Sequence, residues 1–410
     1  MEKTKTSSAK RSAIKISLMA LISLLLLIPL VMVKILIDDR ESNRNSVAIE
    51  VADSYANAQT IYAPKLVSTI VSKTTETHSR NCEKLDYKAS VDTEVLHRSI
   101  YDVVVYRSKI DICGKFKITA DMTKAAKNTF ELDITDFKGL ASLPVLSFAG
   151  KNYNMVKRND SLQANIVLPV GAKIGDLVEF SASLDLKGTE SIAFRPDAAE
   201  TTLNISSTYP HPSFKGTLSP THRDVRADGF EASWSVLDMN LNAYTTETMV
   251  VEFVNPANPY QQATRSAKYG ILIIILVFVA GLLAEFLSGR EISPIQYAII
   301  GLSLVLFYSL LLAFSEFILF GWAYVIAALM TTVSLTLYFG GILKSRNGYI
   351  LGGFVALVYL LNYMLLQMET FALLAGSLIL FVLLCVVMYL TTNINSPKCE
   401  TDIVSDNTKQ

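Results

Sequence analysis

The segments YGILIIILVFVAGLLAEFL (Tyr269–Leu287) and IQYAIIGLSLVLFYSLLLAF (Ile295–Phe314) decide how this chain is read. Three more of the same kind follow, Phe317–Tyr338, Tyr349–Gln367 and Phe371–Leu390. Each is 19 to 22 residues long and none carries more than one charged side chain. A helix rises 1.5 Å per residue, so about 20 apolar residues cross the ~30 Å hydrocarbon core of a bilayer. The connections are short enough to force neighbouring spans antiparallel, which predicts a five-span bundle over 269–390. Small residues such as Gly301, Ala327, Gly340, Gly352 and Gly376 allow close helix approach.

Charges beside the spans set an orientation. Arg290, Lys344 and Arg346 occupy the connections on one side, while those around Ser315-Glu316 and Met368-Glu369-Thr370 hold no Lys or Arg. Basic residues stay cytoplasmic. The N-terminus agrees: residues 1–15 carry Lys3, Lys5, Lys10, Arg11 and Lys15 against the single acid Glu2, ahead of another apolar run, 16–37. A cleaved signal peptide would have a shorter core and a small-x-small site after it. Val33-Lys34-Ile35-Leu36-Ile37 stands there instead, so residues 16–37 read as an uncleaved anchor. The expectation is six spans, with residues 1–15 and the tail 391–410 cytoplasmic and residues 38–268 on the opposite side.

That exported segment is β-rich by its periodicity. It opens with an amphipathic helical pattern between Asn43 and Tyr62 (Val47, Val51, Tyr55, Ala58, Tyr62), which Pro64 ends. Period-two alternation follows, the mark of half-buried strands. Val178, Phe180, Ala182, Leu184 and Leu186 form one face against Glu179, Ser181, Ser183, Asp185 and Lys187. The even positions Ile100, Val104, Tyr106, Ile110, Ile112, Phe116 and Ile118 are apolar, and from Arg107 onward Arg107, Lys109, Asp111, Cys113, Lys115 and Lys117 make the opposite face. Phe130/Leu132/Ile134, Leu162/Ala164/Ile166/Leu168, Phe230/Ala232/Trp234/Val236 and Met249/Val251/Phe253 repeat the pattern. Asp136–Gly139, Ala149–Asn152 and Lys187-Gly188 read as turns. Many short alternating strands predict an antiparallel, sandwich-like sheet domain.

The composition excludes several functions. Net charge is zero, so no nucleic-acid partner is expected. Four cysteines lack the spacing of a metal or redox site, and His78, His97, His211 and His222 show no i, i+4 pair, so no metal or other cofactor is expected. Ser213 lacks a nucleophile elbow, and no catalytic residue is nominated. The candidate functional or docking residues are Glu285, Glu316 and Glu369, the acids of the bundle and its outer connections. Glu285 reads as interfacial. Glu316 and Glu369 fit either domain docking, with Arg265 or Lys268 opposite, or a ligand or coupling site. Asn362 and Gln367 fit interhelical hydrogen bonds or a path through the bundle. His211, Ser213 and Phe214 belong to the rigid run Tyr209-Pro210-His211-Pro212-Ser213-Phe214, which reads first as a packed turn. Cys82 and Cys113 share the oxidising side, which leaves a bridge between them open.

The run from Ser207 to Gly216, followed by Leu218, Pro220, Gly229-Phe230 and Trp234, resembles the CreD family of bacterial inner-membrane proteins. Gln59-Thr60 with Pro64, Lys268-Tyr269-Gly270, Glu285, Gln296-Tyr297, Leu306-Phe307-Tyr308, Ser315-Glu316 and Ala323-Tyr324 extend the likeness. Tyr55 and Tyr209 depart from it, where the family usually has tryptophan. The resemblance implies a multi-pass inner-membrane protein tied to envelope integrity, colicin tolerance and a stress-responsive two-component regulon. It implies no enzymatic reaction, cofactor or catalytic residue. The expected partners are membrane lipids and an envelope protein, lipid or glycan, with a transporter or lipid-handling role as the alternative.

Overall fold

A computed structural model describes residues 2–367, except 72–74, 243–245, 255–257 and 345, together with isolated positions between 374 and 388. Glu369, most of the expected span Phe371–Leu390 and the tail 391–410 lie outside the described residues. The chain forms two compact units, residues 1–39 with 259–410, and residues 40–258.

In the second unit the described residues form three sheets, with strands numbered β1 to β17 in chain order. One runs β15 (His222–Arg226), β16 (Gly229–Leu237), β13 (Glu200–Ser207), β4 (Lys84–Arg98), β5 (Tyr101–Lys117), β11 (Leu177–Thr189), β7 (Val145–Phe148), β8 (Lys151–Asn154). A second runs β3 (Thr75–Asn81), β2 (Lys65–Val71), β6 (Lys127–Leu132), β10 (Ser161–Ile166), β9 (Val156–Arg158). The third runs β1 (Gln59–Ile61), β12 (Ser191–Phe194), β17 (Met249–Phe253), β14 (Pro212–Gly216). All pairs are antiparallel except β1 with β12 and β13 with β4.

One continuous core joins the sheets, with the eight-stranded sheet facing the two smaller ones. Aromatic rings make the contacts across the layers. Phe130 of β6 lies 5.2 Å from Phe180 of β11, and Phe194 of β12 lies 5.2 Å from Tyr87 of β4, centroid to centroid. Such tilted and edge-on pairs add about 0.5–1.5 kcal/mol each beyond their area burial. The expected alternation in β11 holds along its length, with Val178, Phe180, Ala182, Leu184 and Leu186 all buried.

The first helix is longer than its apolar part. α1 (Glu2–Leu25) and α2 (Leu27–Tyr55) are hydrogen-bonded across Leu26, so the helix runs unbroken from Ile14 to Tyr55. It therefore ends at Tyr55, one turn before Ala58, and Gln59 already belongs to β1. Its last turns explain why the odd face of β5 is apolar before Arg107: Val103 and Val105 are buried under Val51, with Val47, Ala48 and Tyr55 around them. An exposed ion pair from Glu50 to Arg98, 2.6 Å long, closes the rim of that contact.

Where the helix hands over to the sheets, Gln59 is almost fully buried and bonded on every side. Its amide donates to the carbonyls of Asp136 (2.9 Å) and Lys187 (3.2 Å), and its Oε1 accepts from the Asp136 N–H (3.3 Å). Asp136 accepts from the backbone N–H of Asn57 (3.0 Å), the Asn57 amide (2.9 Å) and the N–H of Lys138 (2.9 Å). Burial alone would raise the Asp136 carboxyl, but these donors and the Lys138 charge outweigh it and hold the group below its ordinary value.

Lys187-Gly188 is not a turn; both residues lie inside β11. Glycine stands there because the Tyr106 ring crosses its backbone where a Cβ would sit. The Tyr106 hydroxyl then donates to the Ser191 carbonyl (2.8 Å) and accepts from the Gln59 N–H (3.3 Å).

Gly188→Ala should overpack this point at a cost of about 1–3 kcal/mol. The measurement is the thermal midpoint of the full chain in detergent, and Gly188→Ala with Tyr106→Leu should lose less than the two singles summed. Asp136→Asn should destabilise at neutral pH. A lowered carboxyl contributes fully above its unfolded value, about 3.9, and the contribution fades as pH falls through the lower folded value. The gap between wild type and variant in pH-dependent melts should therefore close below about pH 4.

Candidate functional site

Four described helices are long and apolar enough to cross a membrane, and five when a bent pair is taken as one span. They are Ile14–Tyr55, α6 (Pro294–Ser315), α7 (Phe320–Leu343) and α8 (Arg346–Gln367). The bent pair is α4 (Pro259–Lys268) and α5 (Gly270–Ser288), which meet at Tyr269 with a bend of 43°. The sequence left α4 unread: its residues alternate in no strand pattern and its apolar face is only three residues deep. It turns Tyr260, Ala263, Ser266 and Ala267 inward and leaves Gln261, Arg265 and Lys268 exposed.

At one end of this unit sits Glu285, which the structure buries to 9% exposure. Lys15 of α1 pairs with one carboxylate oxygen, and the Ile292 N–H donates to the same oxygen at 3.1 Å. The Tyr297 hydroxyl donates to the other at 3.3 Å. The loop carrying Ile292 is placed by the start of α6: Ser293 and Gln296 form a reciprocal capping box with Pro294 at the first helical position. The pair fixes a register. From Lys15, Leu30 lies fifteen residues on and meets Gly270, which lies fifteen before Glu285. Both paths cover roughly 22 Å of helix, so α1 and α5 run antiparallel in step. Gly301 of α6 takes Leu26 between.

At the other end, beneath α4, lies a polar cluster among aromatic rings. The Asn362 amide donates to Ser266 Oγ (3.2 Å) and to the Tyr324 hydroxyl (3.0 Å), which itself donates to the Tyr359 carbonyl (2.8 Å). Phe307 stacks among Tyr308, Tyr324 and Tyr359 at 4.4–5.3 Å. Among the described residues, the hydroxyl of Tyr308 and the Oδ1 of Asn362 are buried without a hydrogen-bond partner. Glu316, at the end of α6, accepts from the Tyr260 hydroxyl of α4 at 3.5 Å. Asn362 and Glu316 thus both meet α4, on Ser266 and Tyr260. Elsewhere the helices pack closely, Gly352 against Thr336 and Gly348 against the Phe339 backbone.

The remaining nominated residues lie in the sheet unit. Pro212–Gly216 is strand β14 rather than a turn, and proline suits its first position because no ladder donor is needed there. Phe214 sets its ring edge-on to Phe230 (5.7 Å) and Trp234 (5.9 Å), joining two sheets. Tyr209 donates to the Val254 carbonyl at 2.8 Å, and His211 is exposed beside it. Ser213 pairs with Glu252 in the ladder and has no histidine opposite. Cys82 and Cys113 are free. Asp86 is the residue opposite Cys113, and Cys82 lies four residues before it, roughly 13 Å of strand, against the 7 Å limit for a bridge. Burial pushes the Cys82 thiol far up, so it is no thiolate.

One concave site escaped the sequence reading. A cleft of about 350 Å³ opens beside the middle of β4 and the adjoining ends of β13 and β16, lined by Ser90, Asp92, Ser206, Asp224, Asp228 and Glu231 among others. Arg226 reaches Asp224 within it, Nε to Oδ2 2.9 Å. Gly229 closes its floor at φ 146°, against the Ser207 carbonyl, where no side chain fits. These residues are scattered over 140 positions and share no motif, so only the strand order assembles them.

Together these features define a multi-span membrane chain with a β-rich domain inserted between its first and later helices. The model of the family described as "Inner membrane protein CreD" matches residues 11–396, and the chain belongs to that family. A curated relative, the inner membrane protein CreD of Escherichia coli (strain K12), is 28% identical, with 91% of each chain covered. Among solved structures, an M1 zinc metallopeptidase from Deinococcus radiodurans aligns over 42% of this chain and 41% of its own at 9% identity and a TM-score of 0.23. Likeness that slight carries no argument about fold or activity.

Glu285→Ala strands the Lys15 ammonium and should cost about 3–5 kcal/mol, whereas Lys15→Met with Glu285→Leu should recover most of it. Thermal melts of the full chain in detergent check both.

Proposed function

We propose that this inner-membrane protein is non-enzymatic and supports the cell envelope, with both termini cytoplasmic and residues 38–268 periplasmic. Its sheet domain binds or senses an envelope component. The observation that carries the reading is the polar cleft lined by β4, β13 and β16. Its serine hydroxyls and carboxylates, with one guanidinium, suit a polyhydroxylated or amine-bearing partner such as a glycan, a lipid headgroup or a protein segment. Attachment at both ends, through Ile14–Tyr55 before the domain and α4–α5 after it, tethers the domain to the membrane and raises the effective concentration of membrane-borne partners around it.

A second reading, transport or lipid handling through the bundle, draws on the buried Tyr308 hydroxyl and Asn362 Oδ1, which have no hydrogen-bond partner among the described residues. Polar groups left open in hydrocarbon cost several kcal/mol each, which favours a bound polar species there.

A photocrosslinking residue in place of Ser206 or Asp228, in the full chain in living cells, should give one discrete adduct. The same residue at Lys151, on the far edge of the sheet, should give none. Equal background at all three positions sinks the reading. A cysteine at Asp228 should react with a membrane-impermeant maleimide from the periplasmic side only, and cytoplasmic labelling would reverse the orientation.

A further inference from the structure

The loop between β10 and β11 displays apolar side chains that its own folding does not require. It is built from two successive turns of one pattern. In Pro169-Val170-Gly171-Ala172 the Ala172 N–H donates to the Pro169 carbonyl (3.2 Å). In Lys173-Ile174-Gly175-Asp176 the Asp176 N–H donates to the Lys173 carbonyl (3.1 Å). Gly171 (φ 83°) and Gly175 (φ 100°) fill the third position of each, as a type II turn requires. Val170 and Ile174 are therefore the outer corners. The loop is also braced: the Gly175 N–H donates to the Ile118 carbonyl (2.9 Å), the Lys173 N–H to Asp176 Oδ2 (2.8 Å) and the Val167 N–H to the Tyr153 hydroxyl (3.3 Å). Leu168 and Ala172 pack against the core, whereas Val170 is wholly exposed and Val167, Ile174 and Leu177 are 57–66% exposed. Exposed turns ordinarily carry polar residues. Four aliphatics gathered on one rigid loop mark an interaction site.

Charge and position narrow the partner. Lys117 lies opposite Leu177 in the ladder, Lys127 precedes the ladder partner of Ile166, and Lys173 is in the loop itself. All three are exposed and in no ion pair among the described residues. The acids nearby are engaged: Asp176 within the loop, Glu179 with Lys115 (2.8 Å) and Asp121 with Arg80 (2.9 Å). Both ends of the sheet unit leave near the start of β5. Val51 covers Val103 and Val105, and the Phe253 N–H donates to the Glu190 carbonyl, whose own N–H donates to that of Val104. From Val105 to Lys117 the strand runs roughly 40 Å. A loop so far from both tethers is poorly placed for a bilayer, and its lysines would repel the same loop of a second copy. We propose that residues 167–177 are a docking tip for a second protein, whose apolar seat is rimmed by acidic side chains. The tip stands apart from the cleft, and it rests on the exported-domain reading only for the compartment that supplies the partner.

The test places a photocrosslinking residue at Val170 or at Ile174 in the full chain in living cells. One discrete adduct with an exported protein is expected, mapped by mass spectrometry to a segment rich in Asp and Glu. At Lys151, two strands aside on β8, the same residue should give none. Lys117→Glu with Lys127→Glu and Lys173→Glu should cut the adduct at least about fivefold, and changing the mapped acids to lysine should restore it. Val170→Ser with Ile174→Ser, read from a photocrosslinker at Val167, should cut it as far. The thermal midpoint of that variant in detergent should stay unchanged, which separates lost docking from lost folding. No discrete adduct, or a yield indifferent to charge reversal, overturns the proposal. So does an adduct with a phospholipid or with a second copy of this chain. An adduct with a cytoplasmic protein that obeys the charge reversal and its rescue would keep the docking tip and overturn the exported-domain reading instead.

Discussion

A lysine and a glutamate that hydrocarbon would not readily accept alone set the frame of the membrane unit. Lys15 comes from the first helix and Glu285 from a helix 270 positions later, so their pairing brings the two ends of the chain together around the inserted domain. Desolvation makes each charge costly by itself. The cost falls only if both are present, in reach, and helped by Tyr297 and the Ile292 N–H. Once that point is fixed, helix geometry dictates the rest: Leu26 falls on Gly301 and Leu30 on Gly270. Glycines there are places where one helix has to admit another's leucine.

The sheet unit is held by a different logic. Charge plays a small part, and the layers are joined by rings: Phe180 to Phe130, Tyr87 to Phe194, Phe214 to Trp234. Period two was enough to read β11 and much of β5, because one face meets the core and the other meets water. At Val103 and Val105 a helix covers the second face as well. No local pattern announces that cover, since it depends on where a distant segment lands. Gly188 misled for the same reason. Glycine suggests a turn until the Tyr106 ring, 82 residues earlier, is seen lying across it.

The candidate sites divide along the same line. Glu285, Glu316 and Asn362 drew attention in the sequence because polar groups in apolar runs are costly, and that principle needs no coordinates. Their partners did not show: Lys15, Tyr260 and Ser266 are distant in sequence, and α4 has too short an apolar face to stand out. Phe214 was legible as part of a rigid run, but its task, bridging two sheets, required the strand order. The cleft between β4, β13 and β16 was illegible altogether, because β13 joins β4 in parallel and brings Ser90 opposite Ser206 from more than a hundred residues away.

The end of the first helix carries a phase as well as a length. Within the sheet unit, Val47, Val51 and Tyr55 recur every four residues, close to one turn at 3.6 per turn, so they lie on nearly one stripe over Val103 and Val105. Adding or deleting a single residue between Val47 and Val51 would swing one of them about 100° off that stripe. The number of residues between them is held even where their identity is not.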